Sequence, residues 1–523
     1  MGTNTEEVVR KIASVDPATG VLISEYGCAS DDEVRDAVVR AREAQKEWQR
    51  RGVRKRGNAL REFQRILVER KQQVAECITR EAGKPVAEAW ATEVLVVLDA
   101  ARFLIEHSHY LLRSESVPHG NLATRLKRGR LLREPYGVVG IISPWNYPFS
   151  IPATETLAAL IAGNAVVLKP SELTSGCALM LRSLLLAAGI PESVFQVIVG
   201  GGSTGTALVG SEIDKLVFTG SVATGKRIAV AAAQRLLPVV LELGGKDPMI
   251  VLEDADIDVA SSAAVWGAFV NAGQACLSVE RCYVHRSIYD SFLAACVNKT
   301  ETLHIGKGLD PATDIGPMIH ERQIRVVETQ VEEAKAHGAR VLAGGMRLPE
   351  LGSNFYAPTI LADANHTMQV MREETFGPVL PVMAFESEEQ ALNLANDSDY
   401  GLAASVWTSN RGRGEKLAGR IRAGTVMVND AISCFGISEA PHGGLKASGI
   451  GRTHGRFGLD EMVRLKYLDS DLTPGMKKLW WYSYGRGYRR QIAGFIDLQF
   501  AQGWGRRLRG LVNALMMLRR TRL

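Results

Sequence analysis

Cys276 lies in the stretch NAGQACLSVE, among small and polar neighbours. A deprotonated thiol there could act as a nucleophile, yet a lone cysteine is more often a buried hydrophobe. Both readings stay open on the residue alone. Glu242 ends the apolar run VVLEL ahead of a glycine pair; it suits a general base, or equally a satisfied structural carboxylate at a strand end. The seven cysteines are an odd number without a CxxC pair or a Cys/His spacing suited to zinc, so neither a disulfide framework nor a metal site is expected. That pattern fits a reduced, cytoplasmic protein.

The elements that must position these residues are legible as short apolar runs: VVGII (138–142), AVVLK (165–169), VFQVIV (194–199), KLVFT (215–219) and VVLEL (239–243). Their starts are 21 to 29 residues apart with helical patterns between them, the spacing of β-α-β units whose strands are covered on both faces. The expected fold is α/β: a doubly wound, Rossmann-like parallel sheet, then a second α/β domain carrying the strand candidates MIVL, GPVLPVMAF, LAASVWT and GTVMVN. Ser30 and Glu33 form a capping box that starts a helix near residue 31, and helical patterns continue to about residue 112. Ligands of such sheets bind beyond the carboxyl ends of the strands. The residues there are SPWNYP, PSE, GGGSTG, GSVATG and GGKDP. GGGSTG (200–205) matches GxGxxG between a strand and a helix, a weak signal by itself.

Seven motifs then occur in one order: PWNYP, KPSE, FTGSVATG, ELGGKDP, GQAC, EETFGPV and GGLKASGIGR. Together they resemble the aldehyde dehydrogenase superfamily, and the resemblance runs from SVDPATG to VRLKYL, nearly the whole chain except its tail. It implies oxidation of an aldehyde to a carboxylic acid. Cys276 would be the nucleophile, passing through a thiohemiacetal and a thioester. Asn146 would be an oxyanion donor beside the Cys276 backbone N–H, and Glu242 the base that activates water. Relatives that transfer the acyl group to coenzyme A generally lack this base, so release of a free acid is expected over a coenzyme A-acylating semialdehyde dehydrogenase. A noncatalytic scaffold retaining the fold and a nucleotide-independent thiol hydrolase are further alternatives.

The resemblance also implies a nicotinamide cofactor. Lys169 and Glu172 would contact the adenosine ribose, and a carboxylate there favours NAD over NADP, which stays open as a second candidate. Gly220, Ser221 and Gly225 would form the turn near the pyrophosphate. Glu374 would bind the nicotinamide ribose, with Phe376 beside the ring and Trp145 in the adenosine-side wall or in the core. His442 stands where many relatives have an aromatic residue lining the substrate channel; it is read as a specificity difference without a chemical role. Cys282 is read as a core thiol. The implied organisation is a dinucleotide-binding domain (1–119 and 137–245), a catalytic domain (246–447), and oligomerisation elements (120–136 and 448–473), the first of them a small β arm, in a homodimer or homotetramer.

Composition is ordinary for a folded protein, 46% hydrophobic and 23% charged. The net charge of +5 divides unevenly: residues 474–523 hold 11 Lys and Arg against one acid, Asp497, leaving 51 basic and 56 acidic residues on the rest. A mildly acidic body argues against a nucleic-acid groove. In the tail, Leu508, Leu511, Val512, Leu515 and Met516 repeat at helical spacing with Arg507, Arg509 and Arg519 among the flanking residues. Such a basic amphipathic helix suits an anionic membrane surface, while docking on the body or on another subunit is the competing expectation. The N-terminal MGTNTEEVVRK has no apolar core for a signal peptide, and Glu6 replaces the Ser or Thr of a myristoylation motif.

Overall fold

Ser30 opens the first long helix, Asp31–Arg50: its hydroxyl accepts from the Glu33 N–H at 3.3 Å, and its own N–H donates to the Glu33 carboxylate at 2.8 Å. That reciprocal pairing satisfies two amides which the helix itself leaves unbonded. Val34, Ala37, Val38 and Ala41 then fall on one buried stripe. The computed structural model describes residues 11–478, 480–482 and 484–518. Glu6 and Arg519 therefore lie outside the described residues.

The chain divides into two units, residues up to 111 with 135–463, and residues 112–134 with 464–523. The first is built on two sheets. One has six strands in the order Gly449–Ile450, Val239–Glu242, Lys215–Thr219, Val138–Ile142, Ala165–Lys169 and Phe195–Val197. All pairs are parallel except Gly449–Ile450 on Val239–Glu242. Strands Val138–Ile142 and Ala165–Lys169 are buried along their whole length, as continuous apolar runs require under helices on both faces. The order reverses between Val138–Ile142 and Lys215–Thr219, the switch point beyond which a doubly wound sheet opens a crevice.

The other sheet has seven strands in the order Arg340–Ala343, Thr359–Ala362, Val379–Phe385, Val279–His285, Asp247–Val251, Ala403–Trp407 and Thr425–Val428. Only its Arg340–Ala343 edge runs antiparallel. The chain passes from the first sheet to the second through Leu243, Gly244, Gly245 and Lys246 alone, so the carboxyl end of one sheet is tied to the amino end of the next. Cys282 is fully buried in this second sheet.

The second unit contains a three-stranded sheet, in which Lys127–Pro135 pairs antiparallel with Glu115–Val117 and is also neighboured by Val463–Asp471. Its tail forms two helices, Arg486–Phe500 and Trp504–Leu518; the repeat from Leu508 onward predicts the second, while the first is a finding of the structure. They pack at a glycine crossing. A Cβ on Gly494 would lie 2.2 Å from Asn513 Cβ, and one on Gly510 would lie 2.5 Å from the Gly494 carbonyl oxygen. Any larger side chain would push the helices apart. No described helix is long and apolar enough to cross a membrane.

Candidate active site

The turn carrying Cys276 is strained and heavily braced. Asn271 (φ 55°, ψ 35°) and Ala272 (φ 53°, ψ 37°) are left-handed, and Gly273 follows with φ 72°. For alanine this conformation costs about 1–2 kcal/mol, so the surroundings must hold it. The Asn271 amide NH2 donates to the Asn146 carbonyl at 2.9 Å and to the Gln274 carbonyl at 3.1 Å, and its backbone N–H donates to Glu88 at 3.1 Å. Gln274 returns a bond to the Asn271 carbonyl at 2.9 Å and accepts from the Ile319 N–H at 2.9 Å. Asn146 itself donates to the Gln274 carbonyl at 3.1 Å. The loop of SPWNYP and the turn of NAGQAC are thus locked together by three side-chain amides. Asn271 and Gln274 carry no role in the motif reading, although both flank Cys276 in it.

Glu242 ends its strand in a small cavity of about 20 Å3 that Cys276, Glu155, Thr219, His442 and His454 also line. Neither carboxylate oxygen of Glu242 has a hydrogen-bond partner. Burial pushes its carboxyl pKa well above the usual carboxylate range, Glu155 adds to this, and Arg452 opposes it. Burial likewise raises the Cys276 thiol well above its usual range, with the carboxylate of Asp247 next in effect. Burial thus favours the uncharged form of both groups. An ordinary structural carboxylate would be satisfied by donors; Glu242 is not. His442, expected to have no chemical role, places Nε2 3.8 Å from Glu242 Oε2.

Glu374 and Phe376 sit on a loop pinned from below. Lys246 Nζ lies 2.6 Å from Glu280 and donates to Thr375 Oγ1 at 3.0 Å, and Glu280 accepts from the N–H groups of Thr375 at 2.8 Å and Phe376 at 3.0 Å. Phe376 takes a left-handed φ of 51°, a conformation that a bulky residue keeps only when its neighbours impose it. Glu374 accepts from the Gly245 N–H at 3.1 Å, and burial, followed by Glu280, raises its pKa to about 8. A Cβ on Gly244 would lie 2.5 Å from the Glu374 carboxylate, so the glycine pair after Glu242 makes room for this approach. Trp145 packs edge-on to Phe376 at 5.4 Å. That contact sets Trp145 beside Phe376.

Beyond the switch point, Lys169 is buried and its Nζ lies 3.4 Å from the exposed Glu172 carboxylate. Ser221 caps helix Val222–Ala233 by accepting from the Thr224 N–H. Gly220 precedes it, and Gly225 packs so close to Leu243 that a Cβ would lie 2.5 Å from its side chain. A carboxylate with an adjacent ammonium, together with a helix N-terminus at a sheet switch point, is a donor set that fits ribose hydroxyls and a pyrophosphate. The residues present therefore suit a dinucleotide. Among the described residues one group of three metal-capable side chains occurs, Cys77, Glu81 and Cys177, and it lines none of this site.

Residues 3–468 match the aldehyde dehydrogenase family. The chain is 38% identical over 494 residues to a 4,4'-diapolycopene aldehyde oxidase of a Methylomonas species, covering 94% of this chain and 92% of that protein. It is 39% identical over 455 residues to a putative NADP(+) succinate-semialdehyde dehydrogenase of Mycobacterium ulcerans, covering 86% of each. The crystal structure of an NAD-dependent aldehyde dehydrogenase from Sinorhizobium meliloti superposes with a TM-score of 0.85 at 37% identity, over 88% of this chain and 92% of that one.

Proposed function

We propose, on the premise that this chain belongs to the aldehyde dehydrogenase family, how its own residues carry out oxidation of an aldehyde to a carboxylic acid. Cys276 Sγ bonds to the aldehyde carbon, and its proton passes to the carboxylate form of Glu242. The amide NH2 of Asn146 and the backbone N–H of Cys276 receive the oxyanion. NAD, when bound, supplies the acceptor for the hydride that leaves the thiohemiacetal as it becomes a thioester. Glu242 releases the Cys276 proton to solvent and then takes a proton from water as the water oxygen attacks the thioester carbon; the C–S bond breaks, the acid leaves, and Glu242 returns this proton to the Cys276 thiolate. What carries this assignment is the shared cavity: Cys276 and Glu242 line one space, and Glu242 has no other partner.

Lys169 and Glu172 would hold the adenosine ribose, Gly220, Ser221 and Gly225 the pyrophosphate, and Glu374 the nicotinamide ribose, with Phe376 and Trp145 as the wall beside it. Glu172 favours NAD, because a carboxylate repels a 2′-phosphate; the NADP(+) named for the Mycobacterium ulcerans relative keeps NADP as a second candidate. Residues 1–119 with 137–245 would be the cofactor domain and 246–447 the catalytic domain. The segments 120–136 and 448–473 would join copies into a homodimer or homotetramer.

The tail would place this cytoplasmic enzyme on an anionic membrane. Trp504 is 87% exposed, Leu508 68% and Val512 58%, an apolar helix face that its own unit leaves uncovered. The single acid, Asp497, is paired with Arg506 at 3.3 Å, and exposed Trp480, Trp481, Tyr482 and Tyr484 add the side chains favoured at a membrane interface. Vesicles containing phosphatidylserine should bind the full chain and release it at high salt, and should not bind a truncation ending at Thr473. Equal binding of both forms would contradict the tail's role.

An apolar aldehyde then becomes the favoured substrate class. The relative named for 4,4'-diapolycopene aldehyde is matched over more of this chain than the semialdehyde dehydrogenase is. NADH formation across unbranched aldehydes should rise with chain length, and preference for a short charged semialdehyde would overturn this.

A further inference from the structure

Four side chains around Cys276 have buried polar atoms with no protein partner: both oxygens of Glu242, Oε2 of Glu155, Nδ1 of His442 and Nε2 of His454. All four residues line the one cavity of about 20 Å3. A cavity needs roughly 10–15 Å3 to hold a water, and that water needs two to four polar partners. The volume suffices for one water, and the unpartnered atoms belong to residues on its walls. The gap of 3.8 Å between His442 Nε2 and Glu242 Oε2 is too long for a direct hydrogen bond and suits a bridging water.

We propose that His442 is a positioning residue for Glu242: through one water in this cavity its imidazole steadies the Glu242 carboxylate and aims the water that hydrolyses the thioester. This rests on the assignment of Cys276 as nucleophile and Glu242 as base.

The ring is held firmly in place. His442 and Thr453 exchange two backbone hydrogen bonds, each 2.8 Å. The imidazole packs edge-on to Phe435 at 5.2 Å and to His454 at 6.0 Å. Burial, then the neighbouring His454, lowers the pKa of His442 to about 3, so at neutral pH the ring is an uncharged hydrogen-bond partner with one N–H to give. The other groups facing the pair are Glu155 from helix Ser150–Ala162, Thr219 at a strand end, Cys276, and Arg452, His454 and Glu461 from the returning segment. Arg452 is the one cation among them to favour the Glu242 carboxylate, while Glu155 and Glu461 disfavour it. A donor at position 442 therefore supports the charged form of the base where little else does.

In the hydrolytic step the water oxygen bonds to the thioester carbon and one water proton passes to Glu242. The carbonyl re-forms, the C–S bond breaks, and the acid leaves with the second water proton. Glu242 then returns its proton to the Cys276 thiolate, restoring both groups. His442 gains and loses nothing; an apolar ring in its place would leave the water with one partner fewer.

The test is hydrolysis of a p-nitrophenyl ester by the full chain without nucleotide, where the burst reports acylation of Cys276 and the steady rate reports deacylation. His442→Phe should keep the burst amplitude, slow the steady rate about tenfold at pH 7, and move its acid limb upward by about one pH unit. His442→Asn, which retains an N–H donor, should recover most of the loss. Glu242→Gln run in parallel separates the outcomes. If it leaves the steady rate intact, the base assignment fails. If it slows the steady rate while His442→Phe changes neither rate nor pH profile, the positioning role of His442 alone is overturned.

Discussion

Cys276→Ala is expected to lower NADH formation from any aldehyde by about 10,000-fold or more, the scale of loss when a covalent nucleophile is removed. The alanine cannot form the thiohemiacetal, and no other cysteine lines the cavity containing Glu242. The turn around position 276 should survive the change, because its bracing comes from Asn146, Asn271 and Gln274 rather than from the thiol. NAD binding and thermal stability should therefore match the unaltered chain within about 1 kcal/mol, which separates a chemical loss from an unfolded protein. Residual turnover within tenfold of normal would refute Cys276 as nucleophile.

Glu242→Gln should produce a different failure. Loss of a general base costs typically 100- to 10,000-fold, and here the cost should fall chiefly on thioester hydrolysis. The first turnover should still release NADH in a burst approaching one equivalent per site, followed by a slow steady state. The neutral amide cannot accept the proton of water, yet it fills the same space in a cavity of about 20 Å3. Adding coenzyme A to this variant should leave the steady rate low; a full recovery would favour the acyl-transfer alternative. Loss of the burst together with the steady state would mean that Glu242 is equally needed to deprotonate Cys276.

Much of this architecture is written in local pattern. The strands Val138–Ile142, Ala165–Lys169 and Lys215–Thr219 match their apolar runs residue for residue, because both faces of a central parallel strand must be covered and their polar residues, Lys169, Lys215 and Thr219, stand only at the strand ends. The residues following those runs are the ones gathered at the switch point. Strand Val279–His285 is hidden for the opposite reason. Its sequence, VERCYVH, carries two charges, and both are buried. Glu280 is neutralised by Lys246, and Arg281 donates to the carbonyls of Lys246, Leu394 and Ala395. No window on the sequence reveals partners from two distant segments.

His442 is concealed in the same way. It is 200 positions from Glu242, and it approaches because Gly449 pairs antiparallel with Glu242 on the sheet edge while Thr453 bridges back to His442. The helix Arg486–Phe500 escapes notice because Gly494 breaks its helical pattern; the structure uses that glycine for the close crossing with Gly510. Glycine weakens an isolated helix and here permits a packed one.

The measurement that bears most directly on the central claim is mass spectrometry of Glu242→Gln after a single turnover with aldehyde and NAD, digested under conditions that preserve thioesters. The peptide containing Cys276 should gain the mass of the acyl group, with near-complete occupancy, and the label should vanish in Cys276→Ala. An acyl group on another residue, or turnover that produces NADH with no acylated Cys276 at any time, would contradict it.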